Sequence, residues 1–440
     1  MPVRGPNMNP ANRPYASLVL NGSPTWGTHL VNMFVIPYAF ITCAFFLTST
    51  DFYMSNRNML PLAPIYLAMA LPALVIFYVL CKDIVRDRGK ELIRLFTFCK
   101  EPIIFYYSFA VIGLLYCLHP GVSVELLNNG VYHALYAFLC LFFLAFARIR
   151  SLLPIVRFIF IAAFLIYFAT VMIDVMQGSF TKNEGRAAGF AVNPNTGAFT
   201  LIMLLLLSLN WSRMKLFDVS LCCAAGLGVF VTYSRGGLIL FVLSMTIYLA
   251  RIIYCQKPWT KPTNALRFLV ISLIVFLGLS IGQSVLNGVS AFNQDDSTRL
   301  QDVLSLVRGD NDAVMQDSRV DLVVEYWRLI SESPILGYGT GFSDSRPAGP
   351  HNIYLQQWVD YGVIGVAVYT LGLLRMFRFF MQRQDYRGMT FLLITAIEGF
   401  FNDDMLLFRP FLIALVFLFV MAYAESQSGA GSGYSKKECA

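Results

Sequence analysis

Runs of about twenty mostly apolar residues recur along almost the whole of this chain. A run of that length matches the thickness of a bilayer's hydrocarbon core, where only a helix or a closed barrel can satisfy its own backbone. The candidates fall roughly at 29–49, 59–81, 102–119, 129–147, 153–176, 195–211, 216–233, 236–255, 267–288, 353–374, 388–402 and 405–424. A transmembrane barrel would instead show alternating segments of about ten residues. Composition agrees: 57% of the 440 residues are hydrophobic and 13% charged, about half the charge of a soluble domain. The expected fold is all-α, a polytopic membrane protein of about 12 transmembrane helices. A soluble enzyme, a disordered chain and a nucleic-acid-binding protein are excluded.

The nine cysteines mostly lie within apolar runs or beside basic loops and show no zinc-type pairing, so neither a disulfide framework nor a metal site is expected. Residues 1–28 are polar and proline-bearing and lack the pattern of a cleaved signal, which reads as a cytoplasmic tail. Residues 425–440, with their Gly/Ser-rich stretch, read as a flexible cytoplasmic tail. No internal repeat is visible.

Orientation follows from lysine and arginine, which accumulate on the cytoplasmic side. About two thirds of the 33 basic residues fall in one set of connections, including the cluster from Lys82 to Lys100 and the group Arg375, Arg378, Arg383 and Arg387. Both termini join that set, so both are expected in the cytoplasm. The opposite, outer face carries one long segment, 289–352, between a first bundle (29–288) and a last one (353–424). It is too short for a nucleotide-binding fold built of repeated βαβ units. A helical cap is expected instead, its clearest helix capped by Asp317 and Ser318 and striped by Val320, Val323, Val324 and Trp327, with Asp321, Glu325 and Arg328 opposite.

Several polar residues stand out on that face. Arg235, in Tyr233-Ser234-Arg235-Gly236-Gly237, sits between two apolar runs, where a charge is costly unless it pairs or meets an anion. It either snorkels to the headgroups or holds an anionic ligand. With no acidic neighbour in sequence, and two glycines to let a ligand or helix approach, the anion is favoured. Arg319 opens the cap helix, a position the macrodipole disfavours for a cation. It either pairs with Asp317 or Asp321 or joins the first-turn N–H groups on one phosphate. Arg186 lies in Glu184-Gly185-Arg186-Ala187-Ala188-Gly189, ahead of Asn193-Pro194-Asn195, and Glu184 is an alternative partner for it. His351, in Pro350-His351-Asn352 after a glycine-rich approach, can accept a proton near neutrality. Of the other three histidines only His119 is expected on this face outside a span. Asp310-Asn311-Asp312 has the spacing of a metal-holding DxD, but no nucleotide-binding fold surrounds it. Asp403-Asp404 is expected to pair with Arg409 or to be solvated.

Together these motifs resemble the O-antigen ligase and polymerase superfamily. His351-Asn352, nine residues, then Gly362-Val363-Ile364-Gly365 is similar to that family's His-Asn-x9-Gly-x-x-Gly signature. Before it, Arg319, Trp327 and Pro334-Ile335-Leu336-Gly337-Tyr338-Gly339 resemble the family's preceding helix and glycine turn. Upstream, Arg186-x-x-Gly189 with Asn193-Pro194-Asn195, and Ser234-Arg235-Gly236, also match. The resemblance implies glycan transfer at the periplasmic face of a bacterial inner membrane. The donor would be a polyprenyl-diphosphate-linked glycan, and the acceptor the lipid A-core, another lipid-linked glycan or a protein hydroxyl.

A lipid diphosphate is already a good leaving group, so the reaction needs positive charge where it departs and a base for the incoming hydroxyl. Arg235 and Arg319 would clamp the diphosphate, Arg186 would assist, and His351 would deprotonate the acceptor, with Asn352, Ser234, Tyr338 and His119 in support. One displacement inverts the anomeric centre, and no metal or other cofactor is required. Membrane lipids, and no nucleic acid, complete the expected partners. O-antigen ligation leads the reading. Its alternatives are an O-antigen or exopolysaccharide polymerase and a protein (pilin) O-glycan ligase. A lipid-linked oligosaccharide flippase is the distant rival, disfavoured by sparse midspan charge and the lack of an inverted repeat.

Overall fold

The computed structural model describes residues 26–73, 89–117, 124–147, 155–181, 186–256 and 318–427. These residues are helical with no strand among them, as expected where backbone groups must be satisfied within each segment. In chain order the helices are α1 (Trp26–Leu47), α2 (Thr50–Asn56), α3 (Pro64–Ala73), α4 (Gly89–Phe98), α5 (Lys100–Tyr116), α6 (Val124–Ala147) and α7 (Val156–Gln177). They continue as α8 (Pro194–Ser208), α9 (Leu216–Val231), α10 (Arg235–Gln256), α11 (Ser318–Glu332), α12 (Ile353–Gln382), α13 (Tyr386–Glu398) and α14 (Arg409–Gln427).

Among the described residues five helices are long and apolar enough to cross a membrane, and a sixth results if the α4–α5 pair, bent by 77°, is one broken span. Several expected spans are shorter. α8 has 15 residues, and the segment expected at 388–402 is a helix of 13 that ends at Glu398. The expected span at 267–288, the second half of that at 59–81, His119 and Asp310-Asn311-Asp312 lie outside the described residues.

α8 is the axle of the bundle. Asn193 accepts from the Asn195 N–H to cap it, Pro194 takes the first turn where no N–H is needed, and nearly every residue thereafter is buried. It packs against α7, α9, α10, α13 and α14. A helix apolar all round can be buried all round, which accounts for its lack of a polar face. At one end of this core Arg157 ties three helices together, donating to the Ser208 carbonyl at 2.8 Å and to Asp218 at 2.7 Å. Asp218 also accepts from the Lys215 N–H at the start of α9, at 2.9 Å.

The cap helix α11 corrects one expectation. Val323, Val324 and Trp327, taken as its packing stripe, are largely exposed, whereas Tyr326, Leu329 and Ile330 are buried against Leu355 and Val359 of α12. The helix carries two apolar stripes, and periodicity alone cannot rank them. The one with a partner, α12, is the one that is covered.

Candidate active site

α12 is interrupted at Gly362, where φ is 64° and ψ is −158°, a conformation closed to residues with a Cβ. A Cβ there would also lie 2.0 Å from the Ile335 carbonyl oxygen. The break leaves carbonyls without helical partners, and the glycine turn takes them. Tyr338 N–H donates to the Val359 carbonyl and Gly339 N–H to that of Asp360, both at 2.8 Å, while Val363 N–H donates back to the Pro334 carbonyl at 3.0 Å. The two halves of the glycine pattern in the sequence, 334–339 and 362–365, are thus one interlocked structure. Asp360 fixes the next stretch, accepting from the Ser343 N–H at 2.9 Å and its hydroxyl at 3.0 Å, and Thr340 donates to the Gly113 carbonyl of α5 at 3.0 Å.

This loop delivers His351 to the mouth of α12. Its backbone is left-handed, with φ 48°, a sparsely populated region for a non-glycine residue. Asn352 follows as the helix cap, accepting from the N–H groups of Tyr354 (2.9 Å) and Leu355 (3.2 Å). The Asn of the signature is therefore explained by helix geometry, since it ends the loop at the residue after the histidine.

Asp403 anchors His351. Its Oδ2 accepts from the His351 N–H at 2.9 Å, and its Oδ1 lies 3.8 Å from Nδ1, an ion-pair distance rather than a hydrogen bond. The imidazole is about half exposed (49%) and Asp403 mostly covered (15%). Burial pushes the Asp403 carboxyl up, but the contacts and charge of His351 outweigh it and hold the carboxyl below its ordinary range. Asp344 and Asp404 stand close enough to add negative potential. Asp403 does not pair with Arg409, which instead donates to Asp51 and, at 3.3 Å, to the Tyr136 hydroxyl.

The loop bearing Asp403 also joins the histidine to the arginine side of the site. The ring of Phe401 lies against Gly236, where a Cβ would come within 3.0 Å of it, and Asn402 donates to the Thr196 hydroxyl at 3.1 Å. Ser234 caps α10 by accepting from the Gly237 N–H at 3.0 Å, and half-buried Arg235 follows at the first helical position. The glycines after Arg235 thus admit protein: Gly236 receives Phe401, and Gly237 faces Ala198 of α8.

Arg186 comes to the same turn. Its guanidinium donates to the carbonyls of Thr232 (3.2 Å) and Tyr233 (3.3 Å) and to Asn195 Oδ1 (3.3 Å). A cation on the last carbonyls of α9 is favourably placed against the helix dipole. Glu184, the expected alternative partner, lies outside the described residues. The segment is held by Asp174, whose two oxygens accept from the N–H groups of Phe180 (2.8 Å), Thr181 (3.3 Å), Ala188 (2.8 Å) and Gly189 (3.1 Å).

The structure therefore brings together Arg186, Ser234 and Arg235 on one side and His351 and Asn352 on the other, with residues 401–403 between them. Arg319 is the second residue of α11, as expected, and its side chain is outside the described residues. Tyr338 is turned away, stacked on Phe342 and donating to Glu332 at 2.9 Å. Asp174 and Asp403 were missed as site-building residues. The signal available for Asp174 was an acid near the end of an otherwise apolar run, one turn before a polar loop. Among the described residues no three His, Cys, Asp or Glu side chains are grouped as metal ligands.

An all-helical, membrane-type bundle thus places two arginines and a carboxylate-backed histidine on neighbouring turns. Residues 219–370 match the O-antigen ligase family model, and over that stretch the chain is similar to a family associated with glycosyl transfer. The matched stretch contains Arg235, Arg319 and His351 and excludes Arg186 and Asp403. No curated protein and no solved structure matches the chain.

Proposed function

We propose that this protein transfers a glycan from a polyprenyl-diphosphate carrier to an acceptor hydroxyl at the periplasmic face of a bacterial inner membrane, with O-antigen ligation to lipid A-core as the leading case. The observation that carries the reading is the 401–403 loop. It joins a base candidate, His351, to the turn that bears Arg186 and Arg235.

In this reading His351 takes the proton of the acceptor hydroxyl as its oxygen attacks the anomeric carbon. The bond from that carbon to the diphosphate oxygen breaks, and the diphosphate leaves with the electron pair. Arg235 and Arg319 neutralise the departing charge. Arg186 is spent largely on the carbonyls of Thr232 and Tyr233, so its part is to hold the turn in place rather than to clamp the donor. Asp403 is a positioning residue that favours the imidazolium as it forms. One displacement inverts the anomeric configuration, and with arginines supplying the charge the reaction runs without a divalent metal.

The test is a purified-protein assay with lipid-linked glycan donor and lipid A-core acceptor in excess EDTA. Inverted product is expected at full rate. Loss of turnover on chelation, restored by Mg²⁺ or Mn²⁺, would overturn the arginine mechanism, and donor flipping in liposomes without bond formation would overturn the transferase. Sidedness is tested at exposed position 345, since Ser343 is buried. A Ser345→Cys variant should react with a membrane-impermeant thiol reagent in cells whose inner membrane is intact.

A further inference from the structure

At the end of α12 away from His351 lies a second polar feature that the transfer reaction does not use. From Gly362 to Gln382 the helix rises about 30 Å, the thickness of a hydrocarbon core, so its last turns reach the opposite membrane surface. There a cavity of about 430 Å³ opens between the α4–α5 elbow and the end of α12. Lys100, Arg375, Arg378 and Arg383 line it, and Glu101 is the one carboxylate among the described residues of its wall.

Among the described residues of the cavity wall, charge is unbalanced. Glu101 accepts from Arg375 at 2.8 and 3.5 Å and so offsets that arginine alone. Three further cations share the space, and gathering them costs free energy that an anion would offset. Arg383 is positioned by aromatic faces, its guanidinium 3.9 Å from the centre of the Phe379 ring and 4.6 Å from that of Phe98. Stacking on a ring face leaves the in-plane N–H edge available for the oxygens of a phosphate.

The surroundings favour a lipid over a soluble anion. α4 is amphipathic: Leu95 is buried toward the bundle, Lys90 and Arg94 are exposed, and Ile93 is exposed beside them. A helix of that kind, bent by 77° from the next, suits the plane of the membrane interface. On α12, Leu374 and Leu371 lie one and two turns below Arg378 on the same face, and each is 56% exposed. An anion held at Arg378 would place its attached chains along those leucines.

We propose that this cavity binds the phosphate of an anionic membrane lipid, the headgroup held by Lys100, Arg378 and Arg383 and the acyl chains lying along Leu374 and Leu371. The assignment does not depend on the glycan-transfer reading. It is tested by native mass spectrometry of the purified full-length protein with phosphatidylglycerol and with phosphatidylcholine of the same acyl chains, and with inorganic phosphate as competitor. Phosphatidylglycerol should be retained in preference, and Arg378→Ala with Arg383→Ala should reduce its retention about thirtyfold, from the usual worth of two basic residues at a lipid surface. The paired Lys substitutions should keep most of the preference. Glu101→Gln, which removes the one carboxylate and releases Arg375, should raise retention, and it serves as the test if the double alanine variant fails to fold. Equal retention of the two lipids, undiminished retention in a folded double alanine variant, or no gain in Glu101→Gln would overturn the proposal. Displacement of phosphatidylglycerol by millimolar phosphate would overturn the lipid as the source of the anion.

Discussion

The two ends of α12 are built on opposite plans. At the His351 end the loop is pinned by hydrogen bonds from other parts of the chain. Asp403 takes the His351 N–H, Asp360 takes Ser343, Asn352 takes two helix N–H groups, and the glycine turn fills the break at Gly362. At the other end the charged groups are arginines and a lysine on long stems, steadied by ring faces and by one ion pair. The first plan fixes atoms to within the tolerance chemistry demands, and the second tolerates a partner of variable position. On the proposed readings, fixed geometry stands where a bond would be made, and adaptable charge where something need only be held.

His351→Ala is the sharpest way to break that contrast. It should lower glycan transfer about 100-fold or more, the usual worth of a general acid or base, while lipid-linked donor still binds. Near-normal turnover in the purified assay would make His351 structural and turn attention to His119.

Asp403→Asn should cost about tenfold to a hundredfold in kcat through misplacement of the imidazole. A carboxylate held below its ordinary range contributes stability that is complete above its unfolded pKa and fades only as pH falls through the lowered one. Asp403 therefore stays ionised, and its hold on the His351 N–H persists, across the neutral and mildly acid range, while in the proposed mechanism the acid limb of kcat/KM reports the general base. Removing the neighbouring negative charge should move that limb to lower pH. An unmoved limb with reduced kcat would assign Asp403 to loop stability alone.

How far the sequence reached is instructive beside these two residues. The position of His351 at the mouth of a helix was legible because its glycine-rich approach and the Gly362–Gly365 spacing mark a loop entering a helix. Asp403 was not, because its role depends on a contact between residues 52 positions apart that no periodicity encodes. The helices were legible from their apolar runs, their lengths less so, since burial within a bundle and burial in lipid select the same residues. Arg186 was read as assisting at the donor diphosphate, and the carbonyls and the Asn195 oxygen it binds are partners that no sequence pattern displays.

Gly362→Ala should act on stability before chemistry. The positive φ and the close approach of the Ile335 carbonyl predict a loss of about 2 kcal/mol or more, read as a lowered unfolding temperature together with reduced transfer. An unchanged unfolding temperature would mean the break in α12 is not needed. The smallest effect is expected from Arg378→Ala with Arg383→Ala on turnover in detergent, within about twofold of the unaltered protein, because adaptable surface charge contributes little to fixed geometry. A large loss there would mean that the two ends of the helix are coupled.

The interlock between 334–339 and the break in α12 also sets a rule for recombination. Each residue of helix advances about 100° around the axis, so one inserted or deleted residue between Asn352 and Gly362 would swing the break away from the loop that fills it. The spacing behaves as a ruler and its members as marks on it. Exchanging segments with similar chains should therefore place the joins outside 334–365 and move that block whole, whereas the exposed positions Val323 and Val324 of α11 can be rewritten one by one.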